Sequence, residues 1–237
     1  MKKNLLLCLL ATIATYAQQP GETDTGIWYM YFGTNRISER WSIHTEAQFR
    51  YYETSSNFNQ LLLRTGLNYH INENAIATGG YAYIDTDPSF EDFDIIFGDI
   101  ITDDNSILEH RLFEQFILKN KVWEFLFEHR YRLEQRFIEN VNLNTNETQH
   151  RARYRIQMTL PLTNTFFLNF YDELFINLQD DLFGQNRLYG AFGVHITDNS
   201  SLQLGYLRNQ FSNAVFNRWQ IGFFFNPDLR KKSKKKP

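Results

Sequence analysis

The sequence predicts an all-β protein, an antiparallel transmembrane β-barrel of about 10–12 strands. Three observations predict it. Apolar and polar residues alternate strictly over stretches of ten or more positions, the period of a strand with one wet and one dry face. Aromatics reach 16% of the chain, 22 Phe and 13 Tyr among them, at a mean hydropathy of only −0.45. Apolar side chains are therefore dispersed among polar ones. No stretch approaches 18 consecutive apolar residues, so a bilayer would be crossed by strands.

At the N-terminus, Lys2 and Lys3, the apolar Leu5 to Ile13 and Thr15-Tyr16-Ala17 have the order of a secretory signal, with Gln18 the expected first mature residue. Only three apolar residues precede Cys8, which argues against a lipoprotein signal. Cys8 is the only cysteine, so residues from 18 onward carry no disulfide, thiol nucleophile or Cys-ligated metal.

The clearest strand is Trp41 to Tyr52. Trp41, Ile43, Thr45, Ala47, Phe49 and Tyr51 share one face; Ser42, His44, Glu46, Gln48, Arg50 and Tyr52 share the other. Leu61, Leu63, Leu67 and Tyr69 then oppose Gln60, Arg64, Gly66 and Asn68. Trp123, Phe125, Phe127, Tyr131, Leu133 and Phe137 oppose Glu124, Glu128, Arg130, Arg132, Glu134 and Arg136. Ala152, Tyr154, Ile156, Met158 and Leu160 oppose Arg151, Arg153, Arg155 and Gln157. Leu202, Leu204 and Tyr206, and later Trp219, Ile221, Phe223 and Phe225, repeat the pattern. Weaker alternation marks strands near 27–34, 75–84, 108–119, 165–177 and 187–196, eleven in all. Glu114 and Asp172 fall on the apolar face of two of these, and a β-bulge in each would turn them inward.

Short turns are expected at Asn72-Glu73-Asn74, Asn120-Lys121, Pro161 to Asn164 and Thr197 to Ser200, and longer loops at 85–106, 138–147 and 178–186. Short turns on one side and long loops on the other are the habit of outer-membrane barrels. Strands of this length suit a bilayer, and Trp41, Trp123 and Trp219 are placed near strand ends, where interfacial girdles sit. Phe49, Phe127 and Tyr154 should then face lipid, and Glu46, Arg130 and Arg153 the lumen. The body of the barrel spans 18–229. Arg230, Lys231, Lys232, Lys234, Lys235 and Lys236 make 230–237 a basic tail, read as a solvated end. Without these six and the two signal lysines, sixteen Lys and Arg meet all 27 Asp and Glu, a body charge of about −11.

The segments GIWYMYF, EHRLFEQF and the pair FEHRYRLEQRF…HRARYRIQM resemble domain-of-unknown-function family 2490, outer-membrane-type β-barrel proteins. The resemblance covers nearly the whole chain after the signal and rests on strand patterns, not on an active-site signature. It implies fold and an outer-membrane location, with outer-membrane lipid and the barrel-assembly machinery as partners, and it implies no chemistry. Many barrels end on an aromatic, whereas Phe225 is followed by twelve residues.

One constellation stands out. Arg130, Arg132, Arg136, Arg151, Arg153 and Arg155 share the expected lumen face with Glu124, Glu128 and Glu134. In any hairpin register arginines sit beside arginines, so partners must come from neighbouring strands. Glu109 is expected opposite Arg132 if Asn120-Lys121 is the turn, and Glu173 near Arg151 or Arg153. Two readings follow: a salt-bridged plug that rigidifies a narrow barrel, which is the expectation, or a pore or site that attracts anions.

Loop 85–106 holds eight carboxylates and no Lys or Arg, but not the spacing of a calcium loop. The six histidines show no metal-ligand spacing, and no phosphate loop or basic run suited to nucleic acid appears. No catalytic residue and no cofactor is assigned. A binding barrel acting through loops 85–106 and 178–186 is the second function class, and a membrane-embedded hydrolase the third.

Overall fold

Alternation along the chain closes into a cylinder. The computed structural model describes residues 21–88, 106–179 and 181–230. The expected signal, most of the acidic loop and the tail lysines lie outside the described residues. Eleven strands follow in chain order: β1 (Gly26–Arg36), β2 (Trp41–Tyr51), β3 (Phe58–His70), β4 (Ala75–Thr86), β5 (Ile107–Val122), β6 (Phe125–Asn140), β7 (Thr145–Pro161), β8 (Phe166–Asn177), β9 (Phe183–Thr197), β10 (Ser200–Gln210) and β11 (Val215–Phe225). Each pairs with its neighbours in sequence, and β1 pairs with β11 to close the barrel.

The closure corrects one expectation. All neighbour pairs are antiparallel except β1 and β11, which run parallel from Gly26 opposite Arg218 to Gly33 opposite Phe225. The reason is parity: an odd number of up-and-down strands leaves the first and last pointing the same way, so only a parallel ladder can join them. The seam thus leads into the barrel at one rim and out at the other. At the entry, Arg218 Nη1 donates to the Asp24 carbonyl over 2.8 Å and Nη2 to the Gly21 carbonyl over 3.2 Å. At the exit, the Leu229 amide donates to the Arg36 carbonyl over 2.8 Å.

Strands run from 11 to 17 residues, and β5, β6 and β7 are the longest. This length relocates two connections. β5 continues through Asn120-Lys121, and Val122 pairs with Phe125, so the turn is Trp123-Glu124. The expected loop 138–147 contracts to 141–144 because β6 and β7 stay paired from Leu126 opposite Thr159 to Asn140 opposite Thr145. Trp41 opens β2 and Trp123 crowns a turn, but Trp219 is fifth of the eleven residues of β11, away from either end.

The expected bulges at Glu114 and Asp172 are absent. Gly79–Glu114–Leu133 and Ile156–Asp172–Leu188 are continuous register rows, so both carboxylates face outward. Gln135 Nε2 reaches Glu114 over 3.3 Å and Asn186 Nδ2 reaches Asp172 over 3.0 Å. Neighbouring amides answer these carboxylates where a bulge was expected. Register shifts occur instead at Arg50/Tyr51, Phe175/Ile176 and Ser200/Ser201.

The burial pattern inverts that of a soluble protein. Glu134 is 1% exposed and Gln220 2%, whereas Leu133 is 51% exposed and Leu204 53%. Inside, apolar packing is confined to small clusters: Trp28, Tyr189, Ala191 and Leu207 in one, Leu62, Ala82 and Ile84 in another. Two glycines make room for rings. A Cβ on Gly80 would lie 2.5 Å from the Phe113 ring, and one on Gly205 2.4 Å from that of Tyr189.

Candidate functional site

The lumen site is built from alternate residues of adjacent strands. On β6 and β7 the register sets Arg130 opposite Arg155, Arg132 opposite Arg153 and Glu134 opposite Arg151. Like charges directly opposite one another are destabilising, and carboxylates from other positions answer them. Glu134 is the hub. It accepts from Arg151 Nη2 at 2.6 Å and Arg153 Nη1 at 2.7 Å, with Arg111 at 3.5 Å and Arg132 at 3.6 Å. Glu173 on β8 takes Arg153 Nη2 and Arg130 Nη2, both at 2.7 Å. Glu109 on β5 takes Arg111 at 2.6 Å and Arg136 at 2.8 Å. Glu128 takes Arg155 at 2.6 Å, with Lys119 at 3.8 Å.

Of the eleven residues singled out in the sequence, ten turn inward and gather in the lumen, with one change of partner, whereas Glu124 sits in the turn beside Trp123. Glu109 pairs with Arg111 and Arg136, not Arg132, because the turn falls later than Asn120-Lys121; Arg132 Nε instead donates to Gln115 Oε1 over 2.9 Å. Glu173 holds Arg153, one of the two partners expected for it, and takes Arg130 as well.

Further charged groups face the lumen beside this cluster. Glu46 pairs with Arg64 at 2.6 Å, and its other oxygen accepts from the Gln48 amide. Arg111 was hidden in a weakly patterned strand, although its spacing of two from Glu109 placed it on the same face. Arg50 and Arg187 stand apart, without a carboxylate. Arg50 donates to Gln48 Oε1 over 3.0 Å and to Gln60 Oε1 over 2.6 Å, and lies 3.9 Å from the Trp28 ring centre. Arg187 sits 5.1 Å from that ring centre and 4.7 Å from that of Phe175.

The lumen cavity has a volume of about 820 Å³. Its lining runs from Tyr52, Asn59 and Thr86 near one rim to His70, Lys119 and Asn226 near the other. Twelve Lys and Arg side chains line it against four glutamates, with Glu134 buried in the wall behind. Among the described residues the interior thus holds a surplus of seven positive charges. Among the described residues no three His, Cys, Asp or Glu side chains converge as metal ligands.

Fold and site together define a closed β-barrel, polar and cationic within and apolar without. The family model described as "Protein of unknown function (DUF2490)" matches residues 25–220, and the chain belongs to that family. A solved structure described as a NanC porin in a rhombohedral crystal form superposes with a TM-score of 0.53, covering 84% of this chain and 97% of that one at 11% sequence identity. At that identity the likeness is one of fold. No curated protein matches the sequence.

Proposed function

We propose that the protein is an exported outer-membrane barrel whose lumen is a narrow, anion-attracting passage braced along one wall by the arginine–glutamate network. The observation that carries this reading is the surplus of seven cationic side chains around a cavity of about 820 Å³. Charges in a confined, poorly hydrated lumen act more strongly than at a surface because the effective dielectric is lower, and rings of Arg or Lys favour anions. The apolar exterior supports a lipid surround: Phe49, Tyr131, Leu133 and Phe170 are exposed there, an arrangement costly in water. The signal-like start supports delivery to the barrel-assembly machinery.

The plug reading is favoured by a different observation, the engagement of all five interior glutamates by arginine. Planar-bilayer recording under a potassium chloride gradient separates the two, with membrane fractionation testing location. A passage gives a measurable conductance with a reversal potential on the anion side, reduced in Arg132→Gln/Arg153→Gln. Absence of conductance, with a fall in thermal stability of that variant, identifies the plug.

A further inference from the structure

The interior has two unlike walls. On β5 to β8, each arginine described above faces or shares a carboxylate, although Arg130 Nε, Arg132 Nη1 and Arg155 Nε make no hydrogen bond among the described residues. Where side chains of β1, β2 and β9 converge across the lumen, Arg50 and Arg187 lie against one indole, Trp28, and among the described residues neither forms an ion pair. Glu173, the cross-strand neighbour of Arg187, is turned to Arg130 and Arg153. The single hydrogen bond of Arg187 is a long one, Nε to Asn209 Oδ1 at 3.4 Å.

A guanidinium stacked on a ring uses its flat face for the cation–π contact and keeps its in-plane N–H groups for a planar acceptor. Trp28 is itself 5% exposed and fixed by Tyr189 and Leu207, so it forms a rigid shelf. Two cations on one shelf repel each other; β9 carries no carboxylate, and the one on β2, Glu46, is paired with Arg64. An arriving oxyanion would relieve that repulsion, take up the Nη groups of Arg187 and share those of Arg50, whose three nitrogens already donate to Gln48 and Gln60.

We infer that Trp28, Arg50 and Arg187 form a binding site for the carboxylate or phosphate group of a small solute, placed in the lumen at the edge of the braced wall. The inference rests on the reading of the lumen as anion-attracting, and it adds a position and a ligand chemistry.

Isothermal titration of the full-length, detergent-solubilised barrel with sodium phosphate and with sodium citrate, at constant ionic strength in sodium chloride, tests it without requiring conductance. The expected result is saturable binding of at least one of the two anions. That binding is weakened by about tenfold or more, about 1.4 kcal/mol, in Arg187→Gln and in Arg50→Gln, and not in Arg155→Gln from the braced wall. If Arg50→Gln does not assemble, Arg187→Gln alone decides, since that side chain contributes only one hydrogen bond. Unchanged affinity in Arg187→Gln overturns the site. So does an equal loss in Arg155→Gln, which would make the attraction a property of the whole surplus. So does the absence of binding by the wild type. Binding without conductance keeps the site and removes the passage, whereas conductance without binding does the reverse.

Discussion

Arg153 and Glu134 meet at 2.7 Å, Nη1 to Oε1, while the same guanidinium donates through Nε and Nη2 to Glu173 Oε1 at 3.0 and 2.7 Å. One arginine of β7 therefore ties β6 to β8 behind its own strand. This cross-link, inside the wall and independent of the backbone ladders, makes the Glu134 hub the most sensitive point of the barrel.

Replacing Glu134 by Gln leaves Arg111, Arg132, Arg151 and Arg153 without their shared charge. Breaking a buried pair by removing one partner typically costs about 3–5 kcal/mol. The variant is expected to unfold at a clearly lower temperature, read as the loss of the compact gel band on heating. Glu128→Gln, at the more accessible end of the network, should cost less than half as much. Equal effects at the two positions would contradict the hub.

The exterior is tested at Leu133, which is 51% exposed in the middle of β6. If it faces lipid, Leu133→Arg should cost about 2–4 kcal/mol in a bilayer. Folding yield into phospholipid vesicles measures it, with Gln115→Ala as the inward comparison. A yield equal to wild type would place that face in water.

Glu114 gives the converse. It stands among apolar neighbours on the outside, answered only by Gln135 at 3.3 Å. Glu114→Leu should raise stability in vesicles, by up to about 2 kcal/mol, since acidic groups on a lipid face cost less than basic ones. A drop in stability would show that the carboxylate contacts another protein surface.

Gly80 tests the fit of Phe113, whose ring is 1% exposed and lies between the guanidinium groups of Arg64, 5.5 Å away, and Arg132, 5.0 Å away. A methyl group at Gly80 would meet both this ring and the Thr65 carbonyl, at 2.5 and 2.4 Å. Overpacking of this kind typically costs about 1–3 kcal/mol. Gly79→Ala, where a Cβ meets nothing within 4 Å, should be nearly silent in the same thermal assay.

The alternation that made the strands legible is a property of each strand alone. It assigned Phe49 outward and Glu46 inward because a side-chain period of two leaves no other choice once one face is apolar. Connections were less legible. Nothing local distinguishes Asn120-Lys121 from Trp123-Glu124 as the turn; the paired length of β5 and β6 decides it, with Trp123 held at a φ of 54°. That shift of register is why Glu109 was matched to the wrong arginine. Glu114 and Asp172 were misread because an outward carboxylate looked forbidden, although Gln135 and Asn186 were beside them to answer it. Arg50 and Arg187 were invisible as a pair, since they lie far apart in sequence and only barrel closure brings both to Trp28.

The parallel seam gives the molecule a polarity that an even-numbered barrel lacks. An even barrel returns its chain to the side it started from, so both ends share a compartment. Here Gly26 and Phe225 pair in opposite halves of one seam, and the chain enters by one mouth and leaves by the other. Reporter groups fused before β1 and after β11 would be read from opposite rims of the barrel. A new start cut into any loop would oblige the joined ends to cross the barrel's full height, about 36 Å for an 11-residue strand. Sequence shuffling that most barrels tolerate is therefore closed to this one.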